Sequence, residues 1–275
     1  MRHTAVTLLL AVLAASAVRA QSPQSGAQAP SAQPKGQEPE PVSVRPQPDS
    51  PLRLTMKISG QVAPNSYWVV SSVENVSGRD VSVYAIRQTP GENLLGLCGG
   101  HMGHMPYDKA LRPGQKDGNS AVPTHLRATY EIDFVEFTDG TTWGADTCHI
   151  AEYLAGERAG GAAAATRLLG LLATGGPDAV TQAVTEELTG WGLDAMYKEA
   201  IRLGLAKRGP DGVLRAVEEK AEERHLPNEH SPVWEMGYIV GKKMIAGRVQ
   251  RAVAASGPGG IEAALRLPYD AVGAR

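Results

Sequence analysis

The sequence predicts an α+β protein, an N-terminal antiparallel β-sandwich followed by a C-terminal all-helical region. Three observations predict it. Between Leu52 and Phe137, short runs alternate apolar and polar residues and are separated by turn signals, the pattern of half-buried antiparallel strands. From about Ala159 onward, apolar residues recur at helical spacing instead. The stretch from Tyr130 to Ile150 marks the change: a long strand, an Asp139-Gly140 turn and a return strand ending at Cys148-His149. The expected division is a signal peptide over 1–20, a disordered Pro/Gln-rich linker over 21–50, a β-sandwich over 51–153 and a helical domain over 155–270.

Taken in order, Arg2 and the apolar run from Ala5 to Ala17 read as the charged and hydrophobic parts of a secretory signal, with Val18-Arg19-Ala20 as the cleavage site. That run is shorter than the roughly 20 residues needed to cross a bilayer. The expected location is therefore periplasmic or secreted. Residues 21–50 are rich in Pro and Gln and lack apolar periodicity, which predicts a disordered tether. Leu52, Leu54, Met56 and Ile58 alternate with polar neighbours and predict the first strand. Tyr67 to Glu74 and Val81 to Arg87 predict the next two, with turns at Gly60 to Ser66 and Asn75-Val76-Ser77-Gly78 between them. Residues 92–125 are Gly-rich and read as irregular. In the long strand, Ile132 and Phe134 share one face while Val135 and Phe137 share the other, which predicts a bulge or burial on both sides. Trp143 is expected to anchor the return strand in the core.

In the second half, Val180, Ala183, Val184 and Leu188 predict one helix, Met196, Ala200 and Leu203 another, and Val213, Leu214, Val217 and Ala221 a third. The last runs from about Val233 to Ala254. One apolar face carries Trp234, Tyr238, Ile245 and Val249, and the other Met236, Val240 and Met244, so it is expected to be central in a helical bundle. Gly237 and Gly241, one turn apart, would admit a close neighbouring helix. Lys242, Lys243, Arg248 and Arg251 read as an exposed strip. Gly-Pro steps at Gly176-Pro177, Gly209-Pro210 and Gly257-Pro258 read as helix ends followed by helix starts.

The strand and turn from Ser72 to Gly78, with the hairpin from Phe137 to Trp143, resemble an immunoglobulin-like or fibronectin-III-like sandwich of the kind found in exported bacterial proteins. The likeness covers about 100 residues and lies in architecture, since Trp68 precedes both cysteines. It implies a binding or assembly role. The segment from Trp234 through Gly241 to Pro268 also faintly resembles the closing helices of bacterial metallopeptidases, although their metal motif is absent here, so the likeness assigns no catalytic residue.

Formal net charge is −2, and loss of residues 1–20 would remove Arg2 and Arg19 but no acid. This balance argues against nucleic acid as a partner. Two cysteines, Cys98 and Cys148, in an oxidising compartment predict one disulfide, worth about 3–4 kcal/mol by chain entropy; two buried thiols are the alternative. The loop Cys98 to Met105 carries His101, Met102, His104 and Met105, and a 98–148 bridge would bring His149 close. Imidazole with thioether suits copper, and imidazole also takes zinc. Incidental histidines in a Gly-rich loop, with Met as filler, are the competing reading. His225 and His230 lack the spacing of a zinc protease. Nucleophile-elbow, Cys-x-x-Cys, Walker and dinucleotide motifs are absent. Asp133 with Glu136, or Glu131 with Asp133, could pair as acid and base, but period 2 puts Glu131 and Asp133 on one face, and an exposed polar strand face explains them without chemistry. Three functions remain open: an exported non-enzymatic binding or assembly module with a protein or surface partner, a copper- or zinc-binding protein, and an enzyme or degenerate metallopeptidase-like protein with a site between the two domains.

Overall fold

The computed structural model describes residues 42–63, 66–89, 102–104, 110–125, 129–208, 214–216 and 230–267. The mixed α+β class holds. Among the described residues, eight strands precede the first helix: β1 (Ser43–Val44), β2 (Leu52–Ala63), β3 (Ser66–Asn75), β4 (Val81–Thr89), β5 (Met102–His104), β6 (Lys116–His125), β7 (Thr129–Phe137) and β8 (Thr142–Trp143). They form a three-stranded antiparallel sheet, β2-β3-β6, and a five-stranded sheet, β1-β7-β4-β5, with β8 also on β7. Then follow α1 (Ile150–Leu188), α2 (Leu193–Arg202), β9 (Ala206–Arg208), β10 (Leu214–Ala216), α3 (Pro232–Ser256) and α4 (Gly260–Arg266).

The five-stranded sheet is buried on both faces. Tyr84, Ile86, Ile132 and Val135 share one core with Leu52 and Val73 of the other sheet. Val83, Ala85 and Phe134 share a second core with Ile150, Leu154, Met196 and Met236 of the helices. A bulge explains how β7 serves both. Ala85 pairs with Phe134 but Ile86 pairs with Ile132, which leaves Asp133 as the extra residue. The side-chain alternation changes phase there, so Tyr130 and Ile132 before the bulge, and Val135 and Phe137 after it, lie in the same core. The face switch visible in the sequence is this bulge.

Several sequence expectations are corrected. Residues 43–44, assigned by composition to the tether, pair with β7 in parallel, and the Gln47 amide clamps both the N–H and the carbonyl of Ile132. The region taken as irregular contains β6, whose Gly118 (φ 147) lies at a register shift against β3. A Cβ there would overlap Ser71 backbone. Pro123 is tolerated because β6 is an edge strand. The Asp139-Gly140 turn is not a two-residue hairpin. Gly140 N–H bonds to Phe137 O, Phe137 N–H to Thr141 O, and Gly140 alone of the pair has positive φ, the geometry of a three-residue loop with a glycine bulge. Trp143 packs on the inter-sheet core as expected. The second half is not all-helical, since β9 and β10 form an antiparallel pair and Leu214 stands on a strand. The helical part also starts earlier, at Ile150.

α1 breaks at Gly176 (φ 72, ψ −172), just before Pro177, as the Gly-Pro step predicts. In a straight helix Arg167 and Glu187 would stand about 30 Å apart, yet their side chains are 3.5 Å apart. The second arm, 177–188, therefore folds back on the first. α3 is capped by Ser231, whose Oγ accepts from Trp234 N–H, with Pro232 in its first turn. A Cβ on Gly156 or Gly160 of α1 would overlap the carbonyls of Trp234 and Tyr238; one on Gly237 or Gly241 of α3 would overlap those of Tyr153 and Glu157. Both sets advance together, so α1 and α3 run in the same direction, backbone against backbone. α3 is central as predicted: Met236 and Val240 lie in the core beneath the sheet, and Ile245 and Val249 in a third core with Leu168, Val180 and Ile261. Arg248, expected on the surface, is buried and donates to the carbonyls of Ala264 and Leu267 at the end of α4.

Candidate functional site

Glu131 and Asp133, expected on an exposed strand face, are buried, and so is Glu136. Each has structural partners. Glu131 meets Arg45 at 2.8 Å and Arg87 at 3.6 Å. Glu136 accepts from Ser82 and pairs with Arg158 at the start of α1. Asp133, lifted out of the pleat by the bulge, accepts from Thr147 Oγ1 at 2.5 Å, Thr147 N–H at 3.3 Å and Cys148 N–H at 3.0 Å. Asp146 takes the next two donors, Ile150 N–H at 2.6 Å and Ala151 N–H at 3.1 Å. Two carboxylates thus cap the entry into α1, where His149 itself makes no side-chain cap. Burial pushes the Asp146 carboxyl above its ordinary value, with the Asp133 charge adding to it; the two N–H bonds oppose the shift.

Of the metal candidates, His101 and Met105 lie outside the described residues, as do Cys98 and His225. Met102 and His104 stand on β5 opposite Ala85 and Val83 of β4. Cys148 is buried, is not a free thiol, and packs in the same core as Val83 and Ala85. His149 is exposed, with φ 55. Among the described residues no group of three His, Cys, Asp or Glu side chains could hold a metal, and no helix is long and apolar enough to cross a membrane.

The residues that gather into a continuous surface feature are others. His230, just ahead of α3, and Trp234, Tyr238 and Lys242 on it follow at four-residue intervals. The His230 and Trp234 rings stack at 3.7 Å and 13°, and Trp234 and Tyr238 at 5.2 Å and 17°. Lys242 Nζ lies over the Tyr238 ring at 5.8 Å. Beyond it, Glu187 at the end of α1 takes Lys243 at 2.9 Å, Arg167 at 3.5 Å and Lys242 at 3.9 Å. Lys243 Nζ also donates to the Glu187 carbonyl and sits over the Trp191 ring at 5.0 Å. Burial alone would raise the Glu187 carboxyl, but the Lys243 hydrogen bond and the charges of Lys242, Lys243 and Arg167 outweigh it and hold the carboxyl below its ordinary value. Sequence periodicity places Trp234 and Tyr238 on an apolar face. Both are instead half-buried at the surface and belong to none of the three cores. The usable signal was the aromatic and cationic run at intervals of four.

No family model, curated protein or solved structure matches the chain.

Proposed function

We propose that this is an exported, non-enzymatic binding or assembly protein: a β-sandwich on a Pro/Gln-rich tether, braced by a Cys98–Cys148 disulfide, with its helices presenting the aromatic and cationic strip to a partner. The strip is the observation that carries the reading. Stacked rings on a helix are already immobilised, so little side-chain entropy is lost when a partner docks, and Trp, Tyr and cationic side chains dominate the energy of protein interfaces. The test is association of the labelled mature protein with envelope fractions of cells that export it. Saturable binding is expected, with loss in a Trp234→Ala, Lys242→Glu variant that keeps the parent's circular dichroism and Tm. Equal binding by parent and variant rejects the reading.

A second reading is metal handling through His101, Met102, His104, Met105 and His149. It draws on the packing of Cys148 with Val83 and Ala85, the ladder partners of His104 and Met102, with His149 next in sequence. About one equivalent of copper or zinc in untagged oxidised protein, lost on replacing His101 and His104, is expected on this reading. Metal-free protein that ignores added copper retires it.

A further inference from the structure

We infer that the strip along α3 is a docking surface for an extended acidic segment of a protein partner; this rests on the binding role proposed above and names its ligand. Ring geometry sets the sign. An aromatic ring is negative on its faces and positive at its edge. In this stack Trp234 lies between the His230 and Tyr238 rings, and Tyr238 between Trp234 and Lys242. The Trp191 face is covered by Lys243. Trp234 and Tyr238, the two half-buried rings inside the stack, therefore turn edges rather than faces to solvent, beside the cations of Lys242 and Lys243. Among the described residues, the Trp234 indole N–H and the Tyr238 hydroxyl have no protein hydrogen-bond partner and are not sealed from solvent. Arg167, Lys242 and Lys243 share one acid, Glu187, so the strip is cationic on a chain whose formal net charge is −2.

Spacing and chemistry favour a peptide over a sugar polymer. Side chains four apart on a helix rise about 6 Å. Alternate side chains on an extended chain repeat every 6.6 Å or so, so carboxylates on one side of a strand keep step with the ladder. Indole, ammonium and guanidinium groups donate only, which matches carboxylates better than hydroxyl groups, each both donor and acceptor.

The experiment uses the full mature chain and three probes: a fluorescent decapeptide of alternating Glu and Ser, its Lys–Ser counterpart, and an oligogalacturonate. Expected are saturable binding of the Glu–Ser peptide alone and weakening as salt rises. Lys242→Glu should weaken it about tenfold or more, and Arg266→Glu on α4 should leave it unchanged. Lys242 is half-buried, and its ring and charge contacts are with Tyr238 and Glu187, so this variant tests the idea even where Trp234→Ala is poorly folded. Failure of the Glu–Ser peptide to bind, equal binding of the Lys–Ser peptide, or indifference to Lys242→Glu overturns the acidic-peptide assignment. Oligogalacturonate binding that Lys242→Glu abolishes, with no peptide binding, overturns the peptide while leaving the binding role standing. Indifference of both probe binding and envelope association to the strip variants rejects both.

Discussion

Asp133 shows how one residue out of register can organise a junction. Because the bulge lifts it from the pleat, its carboxylate reaches the Thr147 and Cys148 amides, and its own carbonyl accepts from Asp146 N–H. Asp133→Ala leaves the buried Cys148 N–H unmet and removes the bonds to Thr147, and should cost about 1–3 kcal/mol in urea unfolding. Asp146 and Asp139 should titrate in opposite directions. The Asp146 carboxyl is raised above 3.8 in the fold, so it lowers stability at neutral pH, and this cost fades as pH falls through its folded value toward 3.8. Asp139, held at about 2 by hydrogen bonds from Thr141 and then by Arg79, contributes fully above 3.8 and loses that contribution as pH falls toward 2. Carboxyl-carbon NMR titration checks both, and an Asp146 midpoint at or below 3.8 contradicts the first. The bulge was legible in the Ile132-to-Val135 change of face. Burial of the acids was not, because their partners Arg45, Arg87 and Arg158 come from separate segments that local alternation does not report.

Glycine decides the helical layer. Ala at Gly160 or Gly241 would have to push α1 and α3 apart, since a Cβ there meets backbone rather than a movable side chain. Each should cost at least about 2 kcal/mol. Gly170 lies on the same arm with nothing within 4 Å, so Gly170→Ala should instead stabilise by roughly 0.5–1 kcal/mol. Thermal unfolding of the three variants separates contact from propensity; a uniform shift would refute the close approach. Gly176→Ala strains a φ of 72 at the fold-back and should lower Tm and loosen the Arg167–Glu187 pair. Half of this interface was legible. Gly237 and Gly241 stand out in an apolar helix, whereas Gly156 and Gly160 merge into an Ala- and Gly-rich run with no visible period. Glycine placement also misled: the Gly-rich stretch before Tyr130 conceals β6, where glycine serves a bulge rather than a loop.

At the scale of the molecule, β4 and β7 belong to two cores at once, so sheet and helices share their central strands. Composition divided the chain where its periodicity changes, near residue 154, but periodicity reports local shape and not which face a neighbour covers. Two cores meeting in one pair of strands should melt together. Phe134→Ala on the helical side should cost about 3–5 kcal/mol and shift the near-UV and far-UV signals by the same amount. Two separate transitions in the parent would show independent units. β1 adds a demand on timing. Ser43 pairs with Thr129, 86 positions later, in parallel, and closing so long a loop is slow. A chain emerging from its amino end can zip β2 to β3 as a local hairpin, while Ser43 waits for a partner not yet made. A probe on that first strand should report its native environment only after one on Val69 has done so.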